Sequence, residues 1–375
     1  MRVRFPPGAP SDIIALMQTI DEQIEAIHEV LRKTPHHKAT NGFIGLMRAK
    51  IAKLRDKEIE SGSRSGKGGG RSFSVKKQGD ATVVLIGPPS VGKSTLINKL
   101  TNAESKVAPY AFTTVTVVPG MLKYKEAYIQ ILDIPGLIRG AGEGKGRGKE
   151  VLSVARGADL LLIMTDTSRP KIFELMVGEL SQAGIRINQT RPEVIIEKRS
   201  EGGLEIYTNI KQEIDKESIK EIAREYGIKN GIITLKEKLT YDRLFDAFSE
   251  NRVYIPALFI LNKIDQVKNY HILMHDNYVG ISTEKGQGIQ NLIDKIWETL
   301  QFVTVFLVHP DQNPDKSNPI VMKKGDSLSD VSLKIGSDFA EGKKSAKIWG
   351  SGAKFPGQEV SLSVKVQEGM QIRFV

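Results

Sequence analysis

Between residues 12 and 31 the apolar side chains fall at Ile13, Leu16, Ile20, Ile24, Ile27 and Leu31. Steps of three and four place them on one stripe of a helix, because 3.6 residues complete a turn. A turn around Thr34 and Pro35 separates this helix from a second, predicted over 42–59, whose buried face carries Ile44, Met47, Ile51 and Leu54. The pair reads as a helical hairpin. The following stretch, SGSRSGKGGGRS, has no apolar side chain with which to build a core, and it predicts a flexible linker.

At Thr82 the period changes. The run TVVLI is short, continuous and apolar, as a strand covered on both faces would be. Similar runs at 128–132, 160–164 and 257–261 alternate with helical stretches, which argues for a parallel α/β sheet. Between 181 and 250 the alternation breaks. There VIIEKR and LEIYTN flank 200–203 and predict a hairpin, with helices over 216–226 and 241–248 and a third strand at 232–235. These residues form a small α+β insert. Near the end, VTVFLV, VSLSVKV and MQIRFV predict strands, with turns at 324–326 and 350–352. The expected organisation is a hairpin over 12–60, a linker over 61–80, an α/β domain split into 81–180 and 251–300, the insert at 181–250, and a β-rich domain at 301–375.

A chain of 375 residues suits several domains, and its 40% apolar and 26% charged residues are ordinary for a globular protein. The absence of cysteine excludes disulfides and thiolate metal sites, and suits a reducing cytosol. No apolar run approaches the ~20 residues that span a bilayer, and MRVRFPPGAP lacks the apolar segment of a signal peptide. A cytoplasmic protein without a membrane partner is expected. The net charge of +10 is confined: residues 32–77 hold 13 Lys and Arg against 3 Asp and Glu, so the remainder sums to zero. A solvated helical face plus a linker would explain part of this, but a localised excess is also a footprint for a polyanion. Lys50, Lys53, Arg55 and Lys57 are the candidate RNA contacts there. The insert, with 12 basic and 13 acidic residues, offers no such face.

The sharpest chemistry lies at Gly87, Pro88, Pro89, Ser90, Val91, Gly92, Lys93 and Ser94, which match G-x-x-x-x-G-K-S between a predicted strand and a helix opening at Thr95. Polyphosphate needs this arrangement: glycines let backbone N–H groups converge on it, and the helix start adds partial positive charge. Lys93 supplies a point charge to the β- and γ-oxygens, and Ser94 a hydroxyl for Mg²⁺. Forty residues past Lys93, Asp133 closes the strand YIQILD and opens DIPG, as expected of an aspartate holding the Mg²⁺ shell, while the Gly136 N–H can face a γ-phosphate. Asn262, Lys263 and Asp265 form N-K-x-D after the strand ALFIL. A carboxylate accepts from both N1–H and the 2-amino group of guanine, a donor pair that adenine lacks. Ser282 and Thr283 can cap the guanine carbonyl. Phe112, Thr113 and Thr114, in AFTTVT, sit where a first switch segment would close on Mg²⁺ and the γ-phosphate, and the six glycines of 136–148 suit a second. Lys93, Thr114 and Gly136 are the candidate catalytic residues; GTP or GDP and Mg²⁺ are the expected cofactors.

On these residues the chain resembles the developmentally regulated GTP-binding (DRG) proteins, within the wider Obg-type GTPases. The resemblance runs from about Asp12 onward through HKATNGFIGLMRAKIAKLRDK, GDATVVLIGPPSVGKSTLINKLT, AFTTVTVVPG, ILDIPGLIRGAGEGKGRG and NRVYIPALFILNKIDQ. The last 29 residues, from KIWGSG to QIRFV, resemble a TGS domain, a β-grasp module. It implies a P-loop GTPase α/β fold with an inserted α+β segment, and a cytoplasmic GTPase associated with ribosomes or RNA. By position it makes Ser94 and Thr114 the hydroxyl ligands of Mg²⁺. Two departures stand out. Gly336 follows Ile335 where relatives often carry histidine, and Ser90 stands where potassium-activated relatives outside this subgroup often carry asparagine, which leaves K⁺ an open cofactor.

Leu137 follows Gly136 where many GTPases place a water-orienting glutamine. An aliphatic side chain cannot polarise water, so slow turnover relieved by a protein, ribosome or RNA partner is expected. The competing hypothesis is a scaffold that binds RNA or the ribosome and senses GTP without needing hydrolysis. An ATP-dependent P-loop enzyme is disfavoured by Asp265.

Overall fold

The computed structural model describes residues 19–35, 40–64, 78–101, 118–135, 147–268, 277–311 and 313–375, and the chain divides into two compact units. One comprises Phe73–Glu179 with Ile255–Val375; the other comprises Met1–Ser72 with Leu180–Tyr254.

The first unit is built on a six-stranded sheet in the order Tyr278–Gly280, Ala257–Asn262, Leu160–Asp166, Ala81–Gly87, Ala127–Pro135, Val118–Tyr124. All neighbours run parallel except the last pair. Every residue of Ala81–Gly87 and Leu160–Asp166 is buried, which is why VVLI in the first and LLLIM in the second read as continuous apolar runs. The chain leaves Ala81–Gly87 with later strands on either side of it, so the carboxyl end of this strand is the switch point at which α/β sheets hold ligands. Helices Lys93–Leu100 and Ile289–Thr299 pack Leu96, Ile97, Leu292 and Ile296 onto the sheet core.

The C-terminal residues form a separate five-stranded sheet, ordered Pro319–Lys323, Phe302–Leu307, Gln371–Phe374, Ser345–Trp349, Gln358–Ser361, over a core that includes Val305, Val331, Ile348 and Met370. Two helices, Leu328–Ile335 and Ser337–Glu341, depart from the strand-and-turn pattern expected there. They are short and broken at Gly336, but Ser327 and Asp330 form a capping box that starts the first. The predicted strand VSLSVKV ends at Ser361 and turns. Lys323–Asp159 and Lys334–Asp80 ion pairs fasten this sheet to the α/β sheet, at 3.0 and 2.6 Å.

In the second unit, helices Ile20–Lys33 and Asn41–Arg64 form the hairpin, packed through Ile27, Met47 and Ile51. Asn41–Arg64 runs four residues into the expected linker; 65–77 lie outside the described residues. The insert sheet corrects the predicted hairpin. Its order is Val194–Lys198, Gly231–Leu235, Leu204–Thr208, so the two flanking strands never pair. Gly231–Leu235 takes the centre because its Gly231, Ile233 and Leu235 are buried and the chain passes close at Gly231, where a Cβ would lie 2.3 Å from the Glu197 carbonyl oxygen. Val194–Lys198 has no fully buried residue, which suits an edge.

Helices Lys216–Glu225 and Tyr241–Phe248 cover one face of that sheet, and Ala49 of the hairpin enters their core. A buried charge network links hairpin and insert. Arg252 pairs with Asp56 and with Asp246, the latter at 2.7 Å; Asp246 also takes both forks of Arg186, at 2.6 and 2.7 Å. The Ser249 hydroxyl donates to Asp56. Lys53, expected to face RNA, instead donates to the Glu225 carbonyl and pairs with its carboxylate, so its charge is used inside the unit. Asp246→Ala would leave the buried Arg186 without its carboxylate and Arg252 with Asp56 alone, and is expected to cost about 3–5 kcal/mol, read as a lower urea midpoint by circular dichroism. An unchanged midpoint would show that the network is not holding the unit together.

Candidate nucleotide site

The phosphate end of the site forms where Ala81–Gly87 gives way to Lys93–Leu100. Gly92 caps that helix at φ +95°, and no side chain bonds the first turn, so its backbone N–H groups face outward with the helix's positive end. A Cβ on Gly92 would stand 2.6 Å from Asn262 Nδ2, and one on Gly87 would stand 2.4 Å from the Met164 carbonyl oxygen. The two glycines are therefore demanded by packing as well as by backbone freedom. Pro88 and Val91 are buried under the loop, while Pro89, Ser90, Ser94 and Thr95 are exposed on it.

Lys93 is 9% exposed, and its ammonium donates to the carbonyls of Gly87 at 2.9 Å and Pro88 at 3.1 Å. Burial lowers its pKa, opposed by the negative charge of Asp133. Asp133 lies beside Leu85 in the parallel register, equally buried, and burial raises its carboxyl against the pull of Lys93 and Ser94. The Ser94 hydroxyl donates to Asp133 Oδ2 at 3.3 Å, whereas Oδ1 is buried with no hydrogen-bond partner among the described residues. A hydroxyl and an unsatisfied carboxylate oxygen converge here, and no cluster of three acidic or histidine side chains forms a metal site among the described residues. This is the donor set Mg²⁺ takes when phosphate oxygens and waters complete its shell.

The base end forms at the carboxyl end of Ala257–Asn262. Asn262, 1% exposed, donates from Nδ2 to the Val91 carbonyl at 2.7 Å and to Thr283 Oγ1 at 3.0 Å, while its Oδ1 accepts from the Thr283 N–H at 3.0 Å. One amide thus ties phosphate loop to base loop. Lys263 turns the chain at φ +63° and reaches back to the Ser90 carbonyl at 3.3 Å. Asp265 follows in the short turn Ile264–Gln266, and a hydrogen bond from the Ser282 hydroxyl, with the Lys285 charge 3.8 Å away, holds its carboxyl below the ordinary range. It stays ionised, as an acceptor for two donors must. Ser282 and Thr283 are buried beside it.

Asp166 was not anticipated. It ends Leu160–Asp166 opposite Asn262 in the parallel register, is 2% exposed, and pairs with Lys263 at 3.2 Å and Arg169 at 2.9 Å. Burial works against its charge, but hydrogen bonds from Arg169, Ser168 and Lys263 overcome it and hold the carboxyl far below the ordinary range. The only sequence signal was a polar T-D at the end of a buried strand. Phe112, Thr113, Thr114, Gly136 and Leu137 lie outside the described residues. The other expected residues, from Gly87 to Thr283, are gathered along one edge of the sheet, able to cradle polyphosphate at one end and present a carboxylate to a purine edge at the other.

Asp166→Ala frees Lys263 from its anchor and is expected to weaken GDP binding about tenfold, or ~1.4 kcal/mol, in a titration with fluorescent GDP. Unchanged affinity would mean that Asp166 has no part in positioning Lys263.

Residues 82–198 match the family described as 50S ribosome-binding GTPase, and residues 201–302 match the C-terminal region of the same domain family. A GTP-binding protein of Methanocaldococcus jannaschii is 42% identical over 96% of this chain and 93% of its own length. Developmentally-regulated GTP-binding protein 1 of Xenopus laevis is 40% identical over 94% of this chain and 98% of its own, and Developmentally-regulated GTP-binding protein 2 of Homo sapiens is 35% identical over 94% and 98%. With the phosphate loop, Asp133 and the Asn262–Asp265 turn on one sheet edge and such relatives along its length, the chain belongs to the developmentally regulated GTP-binding proteins, a family of P-loop enzymes that bind and hydrolyse GTP.

Proposed function

We propose that this GTPase is a slow switch on the ribosome or RNA, acting in the cytoplasm with Mg²⁺, and that partner binding accelerates its turnover. The observation that carries the nucleotide roles is the convergence of Lys93, Ser94 and Asp133 with Asn262, Lys263 and Asp265 on one sheet edge. In this reading the loop from Gly87 to Gly92, with Thr95, cradles the phosphates, Lys93 places charge on the β- and γ-oxygens, and Asp265 selects guanine while Lys263 lies along the base. Ser282 and Thr283 cap the base. Ser94 and Asp133, joined by Thr114, would hold Mg²⁺, which when bound neutralises charge building on the phosphate oxygens. Phe112 and Thr113 accompany Thr114 in the first switch segment, and the Gly136 N–H faces the γ-phosphate. K⁺ stays an open cofactor, since Ser90 stands where potassium-activated relatives outside this subgroup often carry asparagine.

Leu137 cannot orient water, which leaves that task to backbone groups of 136–148, to a monovalent cation or to a partner supplying charge. The partner reading is supported by the basic excess of 32–77 and by the description of the matching family as ribosome-binding. We assign the C-terminal five-stranded sheet as the TGS module of an Obg-type protein, and 12–60, 181–250 and 301–375 as its accessory segments.

Single-turnover GTP hydrolysis is expected to be slow alone and to rise about tenfold or more with purified ribosomes. No change with ribosomes, alongside nucleotide-dependent co-sedimentation, would favour the scaffold over the stimulated enzyme.

A further inference from the structure

We propose that the groove between the helical hairpin and the insert is an RNA-backbone site in which the guanidinium groups of Arg48 and Arg55 meet phosphodiester oxygens. The proposal rests on the RNA reading above and gives it a place. The groove encloses about 760 Å³ within the second unit. Its walls carry six arginines, Arg32, Arg48, Arg55, Arg186, Arg243 and Arg252, against two carboxylates, Asp242 and Asp246.

Four of those cations are already matched. Arg186 and Arg252 share Asp246, Arg252 also holds Asp56, Arg243 pairs with Glu237, and Arg32 pairs with Glu25. Those of Arg186 and Arg252 are buried, whereas the Arg32–Glu25 pair is exposed. Arg48 and Arg55 are different: among the described residues no hydrogen bond engages either guanidinium. Arg55 is half-buried, and burial together with the like charge of Arg252 lowers its pKa against the help of Glu58. A cation kept partly desolvated beside another cation is stabilised by an arriving anion, and a guanidinium fork matches phosphate oxygens in pairs.

The ligand's shape follows from the helix. Arg48 and Arg55 are seven residues apart on Asn41–Arg64, so they share a face and sit about 10 Å apart along the axis. Two guanidiniums carried at that spacing on one helix face suit successive charges of an extended strand with a charge on every residue. The remaining polar wall, His28, Ser181, Gln182 and Gln189, offers donors and acceptors suited to sugars and base edges.

The test uses the full chain and a fluorescein-labelled single-stranded RNA of about 20 nucleotides, read by anisotropy across a salt series. The double variant Arg48→Gln/Arg55→Gln is expected to bind at least about tenfold more weakly, with a log–log salt slope shallower by about 1.4, the value for two phosphates on a single strand. Arg48→Lys/Arg55→Lys, which keeps the charge but loses the fork, should restore the salt slope and only part of the affinity. The glutamine variant should melt no lower than the wild type, since Arg55 loses its repulsion from Arg252; if it does melt lower, Arg48→Gln alone, at an exposed position, must still weaken binding several-fold. Wild-type binding with no loss in the glutamine variants overturns the groove and leaves the RNA reading standing. No salt-sensitive RNA binding by the wild type overturns both. Displacement by AMP at equal phosphate concentration would make the ligand a small phosphate compound, and equal displacement by polyglutamate would make it an acidic protein segment; either overturns the RNA assignment.

Discussion

The nucleotide site depends on one buried amide. Asn262 can satisfy its donors and acceptor only if Val91 and Thr283 approach from two sides at hydrogen-bond distance, so the phosphate loop and the base loop have a single compatible arrangement. Leaving such a buried group unpaired costs about 1–3 kcal/mol per hydrogen bond, which makes the constraint steep. Gly92 is part of the same constraint, because any side chain there would occupy the space of the Asn262 amide. The distance between phosphate and base recognition is thereby set before any ligand arrives.

Sheet topology brings these groups to one edge. Parallel strands end on the same side, and Gly87, Asp133, Asp166 and Asn262 all stand at or near the carboxyl ends of four neighbouring strands. The charges gathered there are arranged in pairs: Lys93 with Asp133, Lys263 with Asp166, Asp265 with Lys285. Burial penalises both members of the first pair, so its net attraction is modest and each group remains open to a stronger partner. The Asp166 pair is the opposite case, since three donors hold that carboxylate firmly ionised and fix the lysine above it.

What could be read from the chain alone follows the range of each interaction. The phosphate loop, Asp133 and the Asn262–Asp265 turn were legible because each carries a short motif contiguous in sequence, although only the fold brings Ser94 to Asp133 and Asn262 to Val91. Asp166 was not, because its role comes from the strand register that sets it against Asn262, 96 residues later. The insert hairpin failed for the same reason: two adjacent strands looked like partners until Gly231–Leu235, further along the chain, came between them. The basic stretch shows the reverse error. Composition counted Lys53 as a surface charge, whereas Glu225 takes it from a distance of 172 residues, and only the structure separates it from Arg48 and Arg55. The C-terminal helices were hidden by brevity, their apolar positions too few to show a period.

The central claim is that Asp265, held ionised at the far end of the Asn262 tie, reads the guanine edge. Calorimetric titration of the wild type and Asp265→Asn with GDP, xanthosine diphosphate and ADP tests it directly. The wild type should prefer GDP over both others by about a hundredfold or more, and Asp265→Asn should invert the order of GDP and xanthosine diphosphate, because the amide donates where the carboxylate accepted. Equal GDP affinity in the two proteins, or ADP binding as tightly as GDP, would contradict the account.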